Sequence, residues 1–405
     1  MLHESTLTAL RAEMRSRYGV SPDAVGTVWA PYRICPLGAH IDHQLGTVTA
    51  MAIDRGVHLA FAPSGSPEVR LQSLAYAGEV SFRLDHVPPK QPGDWGNYAR
   101  GAAFALSQAA ALKQGIVGVT SGDLAEVGLS SSASIGLAYL FALETVNGWT
   151  CTPAENVRLD QTIENHYLGL NNGVLDQSAI LCSRRDHLTV IDCKAFANEA
   201  SAPQAIETVP KSPAMPSFAI LIAFSGLTQP VVCTDYNRRV AECAEAAHVL
   251  LQAAGRPLAA ARLGQVTAEE YRAHRFLLPG AAAKRAAHFF GEMDRVQHGI
   301  EAWKRGDLVT FGQLMRESGR SSIENYECGA TPLIDLYEIL NQTPGVYGAR
   351  FSGAGFRGCC VALAEPHAAK QARQALQQAY ALRQPEWAAH AQFFLCRSSD
   401  GARIL

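Results

Sequence analysis

Hydrophobic and polar positions change period along this chain, and the changes divide it into elements. Short alternating or β-branched runs at 25–30, 47–53, 57–61, 79–84 and 116–120 predict strands. Positions 97–113 and 131–146 instead repeat apolar residues at helical spacing and are rich in Ala and Leu, which predicts helices. Thr152-Pro153-Ala154-Glu155 has the composition of a capping box with proline in the first helical position, so a helix is predicted from there through Glu164. A strand follows at 187–193, then the proline-rich stretch 201–216, which reads as a linker between halves. Beyond it, a strand at 218–224 opens a half dominated by helices at 235–254, 282–304, 308–319, 331–341 and 366–383, with strands at 359–364 and 392–397. No internal repeat or low-complexity tract interrupts the pattern.

With 405 residues, 48% hydrophobic and 18% charged, the chain can fill a large core and has room for two or three domains. Its 37 acidic and 35 basic residues nearly cancel and form no Lys/Arg block. The electrostatic footprint of a nucleic-acid or membrane-surface binder is therefore missing, and a small-molecule partner is expected. Ten cysteines are scattered without a C-x-x-C pair, a pattern of reduced, buried thiols rather than a disulfide frame or zinc site. Positions 1–19 lack the apolar core of a signal peptide, and no run reaches the roughly 18 apolar residues of a membrane span. A cytoplasmic protein is expected, and whether it forms a homo-oligomer is not readable from the sequence.

Candidate chemistry begins at Gly128-Leu129-Ser130-Ser131-Ser132-Ala133-Ser134, a small polar loop directly before an apolar helical run. A helix start offers unpaired N–H groups and a positive dipole end, which suits phosphate, although serines before a helix are also a plain start signal. No G-x-x-x-x-G-K-[ST] occurs, which excludes a P-loop. Gly353-Ala354-Gly355-Phe356-Arg357-Gly358 matches G-x-G-x-x-G, but a strand-like run follows it and no acidic residue stands about 20 positions on, so it is not a dinucleotide fingerprint.

That loop stands in ordered company. Upstream lies Ala30-Pro31-Tyr32-Arg33-Ile34-Cys35-Pro36-Leu37-Gly38-Ala39-His40-Ile41-Asp42-His43, and downstream Glu164-Asn165-His166-Tyr167-Leu168-Gly169-Leu170-Asn171-Asn172-Gly173-Val174-Leu175-Asp176-Gln177. Near the end comes Arg350-Phe351-Ser352-Gly353-Ala354-Gly355-Phe356-Arg357-Gly358-Cys359. In order and spacing these segments resemble the motifs of the GHMP small-molecule kinases, in particular the galactokinase branch, over most of the chain. The resemblance implies an α+β, GHMP kinase-type fold of two domains, 1–205 and 217–405, with the active site in the interdomain cleft. It implies ATP and Mg²⁺ as cofactors, the loop from Gly128 to Ser134 around the phosphates, and Ser132 with Glu164 on the metal. Asp176 corresponds to the catalytic base and Arg33 to the arginine beside it. Phosphoryl transfer needs an oriented nucleophile and neutralised charge on the moving group, tasks that suit this pair. Read alone, Glu164 could equally be a solvated helix carboxylate and Arg33 an exposed salt-bridge partner.

Substrate choice turns on the segment around Ala39. By the same resemblance His40, Asp42 and Tyr236 contact the sugar, Asp42 at hydroxyls 3 and 4, while Ala39 replaces a glutamate that stands beside carbon 6 in galactokinases. A carboxylate there would repel a sugar acid, by on the order of several kcal/mol at about 4 Å in a poorly solvated pocket. Residues 30–43 resemble galacturonokinases, which implies transfer from ATP to the anomeric hydroxyl of D-galacturonate, giving α-D-galacturonate 1-phosphate. Galactose and L-arabinose are the alternative acceptors, and a sugar and ATP sensor without turnover is the alternative from another class. His43 stands near the acid or serves packing. Arg238 and Arg239 are cations for a uronate or residues of a helix surface.

Overall fold

The structure is a computed structural model and describes residues 2–122, 128–227, 234–353, 355 and 358–405. Its first sheet begins with β1 (Gly26–Ile34), β2 (Thr47–Pro63), β3 (Glu68–Ser73), β4 (Glu79–Arg83) and β5 (Ile116–Gly122), in the spatial order β1-β2-β5-β3-β4. β6 (His187–Asp192) pairs with the start of β2 and with β7 (Ile206–Pro210). The second sheet holds β8 (Ala219–Phe224), β9 (Val346–Phe351), β10 (Cys359–Ala364) and β11 (Gln392–Cys396), ordered β11-β8-β10-β9. The chain then returns to the first sheet, β12 (Ser398–Ser399) on β2 and β13 (Arg403–Ile404) on β1. Only β3 and β5 pair in parallel among the described residues, so antiparallel pairing organises both sheets, much of it between strands distant in sequence.

The helix Ser131–Val146 is apolar nearly all round, and it is buried accordingly against β1 and β2 with Leu137, Tyr139, Leu140 and Leu143 in the core. A second core joins the halves, packing Tyr32, Ile34 and Leu37 with Ile222, Trp303 and Phe311. Trp303 Nε1 also donates to the Val209 carbonyl at 3.1 Å, tying β7 to the helix Gly280–Arg305. The described cysteines are all free, and no described helix is long and apolar enough to cross a membrane.

Several expected boundaries shift. The runs 47–53 and 57–61 form one strand, β2, because Gly56 lets the chain pass against β1, where a Cβ would meet the Ala30 carbonyl at 2.3 Å. β3 and β9 were not anticipated, and β7 with a short 3₁₀ turn occupies part of the expected linker. The capping box at Thr152 forms, but the α-helix stops at Thr162 and widens into a π turn over Ile163–Tyr167. That widening reorients Glu164 relative to a continuous helix, a use of π turns that recurs at functional sites.

Candidate active site

A cavity of ≈ 630 Å³ lies among β1 and the loop after it, the loop before Ser131–Val146, the helix Leu175–Cys182, Tyr236 and β9. The pairing of β1 with β2 slips between Pro31 and Arg33. Such a bulge re-aims a strand, and Arg33, 3% exposed, lines the cavity. Asp176 opens the helix opposite. Its Oδ1 accepts from Arg33 Nε and Nη2, each at 2.7 Å, while Oδ2 accepts from Ser130 Oγ at 2.5 Å. Arg33 Nη1 donates to Ser352 Oγ at 3.2 Å, so the guanidinium is fixed from both sides.

Ser130 adopts a left-handed backbone (φ 60) and turns its hydroxyl to Asp176 instead of capping the helix behind it. Of the proposed phosphate loop, Gly128, Ser130, Ser131 and Ser132 face the cavity. Leu129 and Ala133 are buried in cores, and the buried Ser134 hydroxyl donates to the Pro31 carbonyl at 2.8 Å, so these three shape the loop from behind. Gly353 packs on this loop, with φ +69 and a position where a Cβ would come within 2.9 Å of the Gly128 carbonyl. Ala354, Phe356 and Arg357 of that glycine-rich motif lie outside the described residues.

Glu164 is fully buried behind the wall. Asn172 Nδ2 donates to its Oε2 at 2.9 Å and the Ser132 side chain lies near, while Oε1 has no partner. Burial, then the charge of Asp176, pushes its carboxyl up to about 7. An orphaned carboxylate oxygen near a serine hydroxyl is a pair of hard-oxygen donors, a set whose chemistry fits Mg²⁺. Asp160, likewise buried with both oxygens unpartnered, is raised well above the usual range by burial and Glu164.

At the other end, His40 (φ 58), Ala39 and Asp42 line the cavity, with Asp42 starting a 3₁₀ turn rather than an extended one. Gly173 makes room for Asp42, since a Cβ there would lie 2.2 Å from Oδ2. Burial, then Asp176, pushes the Asp42 carboxyl up to about 6. The His40 ring stacks on Tyr326 at 4.1 Å, and burial, then His288, holds it well below the usual histidine range. The Ala39 backbone is gripped from the second half of the chain. Its N–H donates to Glu292 Oε1 at 3.1 Å, and its carbonyl accepts from His288 Nε2 at 2.8 Å, which fixes the Nε2–H tautomer.

Tyr236 lines the cavity with its ring edge-on to His43 at 5.9 Å. His43 is buried, accepts from Gln44 Nε2 at 3.0 Å and donates to Tyr326 Oη at 3.3 Å, a packing position off the cavity wall. Neither Arg238 nor Arg239 lines the cavity. Arg238 is exposed beside Glu242, and Arg239, expected on a surface, is buried against Glu242 and the Glu327 carbonyl.

Several lining residues were given no role by the sequence. Tyr76 and Trp95 stack at 6.4 Å near Tyr98 at the end of the cavity beyond the serine loop. Arg350 reaches the cavity from β9, a strand whose Gly348 and Arg350 obscure its alternation.

Family models match three stretches: the galactokinase galactose-binding signature at 12–63, the GHMP kinases N terminal domain at 97–184, and GHMP kinases C terminal at 300–382. The chain is 47% identical to a galacturonokinase of Arabidopsis thaliana, covering 99% of each. It is 31% identical to a galactokinase of Roseiflexus sp. (strain RS-1), covering 97% of this chain and 95% of that one. The fold matches the crystal structure of Lactococcus lactis galactokinase complexed with galactose at a TM-score of 0.89 and 29% identity, over 99% of this chain and 100% of the other.

Proposed function

Because the chain belongs to the GHMP kinase family, we propose that it transfers the γ-phosphoryl group of ATP to the anomeric hydroxyl of D-galacturonate. The observation that carries the choice of acceptor is Ala39: the wall near His40 has no acidic side chain at that position, and the 47%-identical relative is a galacturonokinase. Galactose is the second reading, favoured by the match to the galactose-binding signature at 12–63.

In this reading the sugar lies between Asp42 and Asp176, with its anomeric oxygen toward Asp176. Asp176 accepts the proton of that hydroxyl and orients its lone pair along the line of attack, while Arg33 holds the carboxylate and stabilises charge in the transition state. Ser130 keeps the second carboxylate oxygen from rotating away. The N–H groups at the start of the helix Ser131–Val146 point toward the phosphates, and Tyr76 and Trp95 offer aromatic faces to the base. Ser132 and Glu164 would hold Mg²⁺, which supplies neutralisation of phosphate charge. The division into domains 1–205 and 217–405 belongs to this proposal, and the C-terminal strands β12 and β13 would then complete the first domain's sheet.

The test is ADP release with Mg-ATP and D-galacturonate, with the product examined by NMR. Phosphate on carbon 1 supports the reading, whereas phosphate elsewhere or no turnover removes it.

A further inference from the structure

Five arginines of the described chain are buried: Arg33, Arg100, Arg239, Arg285 and Arg350. Four pair with carboxylates, Arg33 with Asp176, Arg100 with Asp94, Arg239 with Glu242, and Arg285 with Glu242 and Glu327. Arg350, 1% exposed and on the cavity wall, has no ion pair among the described residues. Its Nη1 donates to the Cys35 carbonyl at 3.1 Å, Nε has no partner, and Nη2 makes no hydrogen bond to a described residue. Glu292, an acid close enough to feel its charge, is already engaged by Arg295, Ser318 and the Gly38 and Ala39 amides.

A buried cation without a counter-ion is costly, and the idle Nη2 of this guanidinium on the cavity wall can donate to a carboxylate oxygen. Ala39 lines the same cavity and ends at its Cβ, so the chain itself sends no acid from that position to Arg350. The neighbouring histidines do not supply positive charge, since burial holds both His40 and His288 below the usual range. We propose that Arg350 is the specificity-determining residue that binds the carboxylate of the sugar acid, and that the small side chain at position 39 leaves it free to do so. This rests on the reading that the acceptor is a uronate. It assigns the positive partner that Arg238 and Arg239, off the cavity, do not provide.

The experiment compares D-galacturonate with its methyl ester, which keeps every ring hydroxyl and loses the charge, on the wild-type protein, Arg350→Gln and Arg350→Lys. In the wild type the ester's KM should exceed the acid's by about 100-fold with kcat little changed, as for a site left with an unpaired buried group. Arg350→Gln should raise the acid's KM by about 100-fold, leave the KM values of ester and ATP unmoved, and so close the gap between acid and ester. Arg350→Lys should restore part of that gap. A gap that survives Arg350→Gln overturns the assignment, and so does equal KM for acid and ester in the wild type, a comparison that needs no variant to fold. Absence of any turnover of D-galacturonate by the wild type removes the substrate reading and this assignment together, whereas turnover with a surviving gap removes the assignment alone.

Discussion

The two ends of the cleft carry opposite electrostatic arrangements. Around Asp176 the groups answer one another, with Arg33 and Ser130 on its two oxygens and Ser352 behind the arginine. Around Ala39 a guanidinium is left over, the nearby histidines are neutral, and the one anion behind the loop is committed elsewhere. In the proposed reading the first arrangement suits any sugar that presents a hydroxyl, because it would orient and deprotonate without reading the rest of the molecule. In the same proposed reading the second distinguishes sugars, by what position 39 lacks.

Changes at either end should therefore produce different kinetic signatures. Asp176→Ala should lower kcat by about 10³-fold or more for every sugar while the melting temperature stays close to wild type; ADP release near the wild-type rate would take Asp176 out of the mechanism. Ala39→Glu should instead reduce kcat/KM for galacturonate relative to galactose by about 100-fold, through KM. An unchanged preference would mean that residue 39 does not face carbon 6.

Glu164→Gln belongs to the reaction end and should raise the Mg²⁺ needed for half-maximal rate by about 10-fold or more. An unaltered Mg²⁺ titration would contradict a metal role. The pH profile separates the two acids pushed upward. Below saturating Mg²⁺ a limb near pH 7 should follow Glu164, which in the proposed role has to be ionised to hold the ion. With Mg²⁺ saturating, kcat/KM for the sugar should still fall as pH drops through about 6, where Asp42 takes up a proton and can no longer accept from two hydroxyls. Asp42→Asn should abolish that limb.

The smallest effect concerns stability behind the Ala39 loop. Against the opposing effect of burial, Arg295 and other nearby positive charge bring the Glu292 carboxyl from 4.5 down to about 2. A depressed carboxyl stabilises the fold fully above its unfolded value, and the contribution, about 3 kcal/mol, is lost as pH falls from 4.5 towards 2. Acid unfolding of Glu292→Gln should lack this component, and identical acid profiles for variant and wild type would refute it.

Much of the reaction end was legible before folding, because Arg33, the Gly128 to Ser134 loop, Glu164 and Asp176 sit in compact stretches whose spacing repeats a known pattern. The strands and helices with clean period were legible for the same reason. Less visible were features that depend on distant chain segments. Glu164 sits where a helix widens to a π turn, which residue period does not announce. Ser134 belongs to the serine run yet turns inward to Pro31, a contact across 103 positions. Arg350 lies in a strand interrupted by Gly348, and its lack of an ion pair emerges only once every neighbouring acid has been assigned a partner.

The most direct test of this account is the ratio of kcat/KM for D-galacturonate to that for D-galactose, measured in parallel on the wild-type protein at saturating Mg-ATP. The leftover cation and the missing acid at position 39 predict a ratio of about 100 or more, expressed mainly in KM. A ratio near or below one would contradict the account while leaving the kinase itself intact.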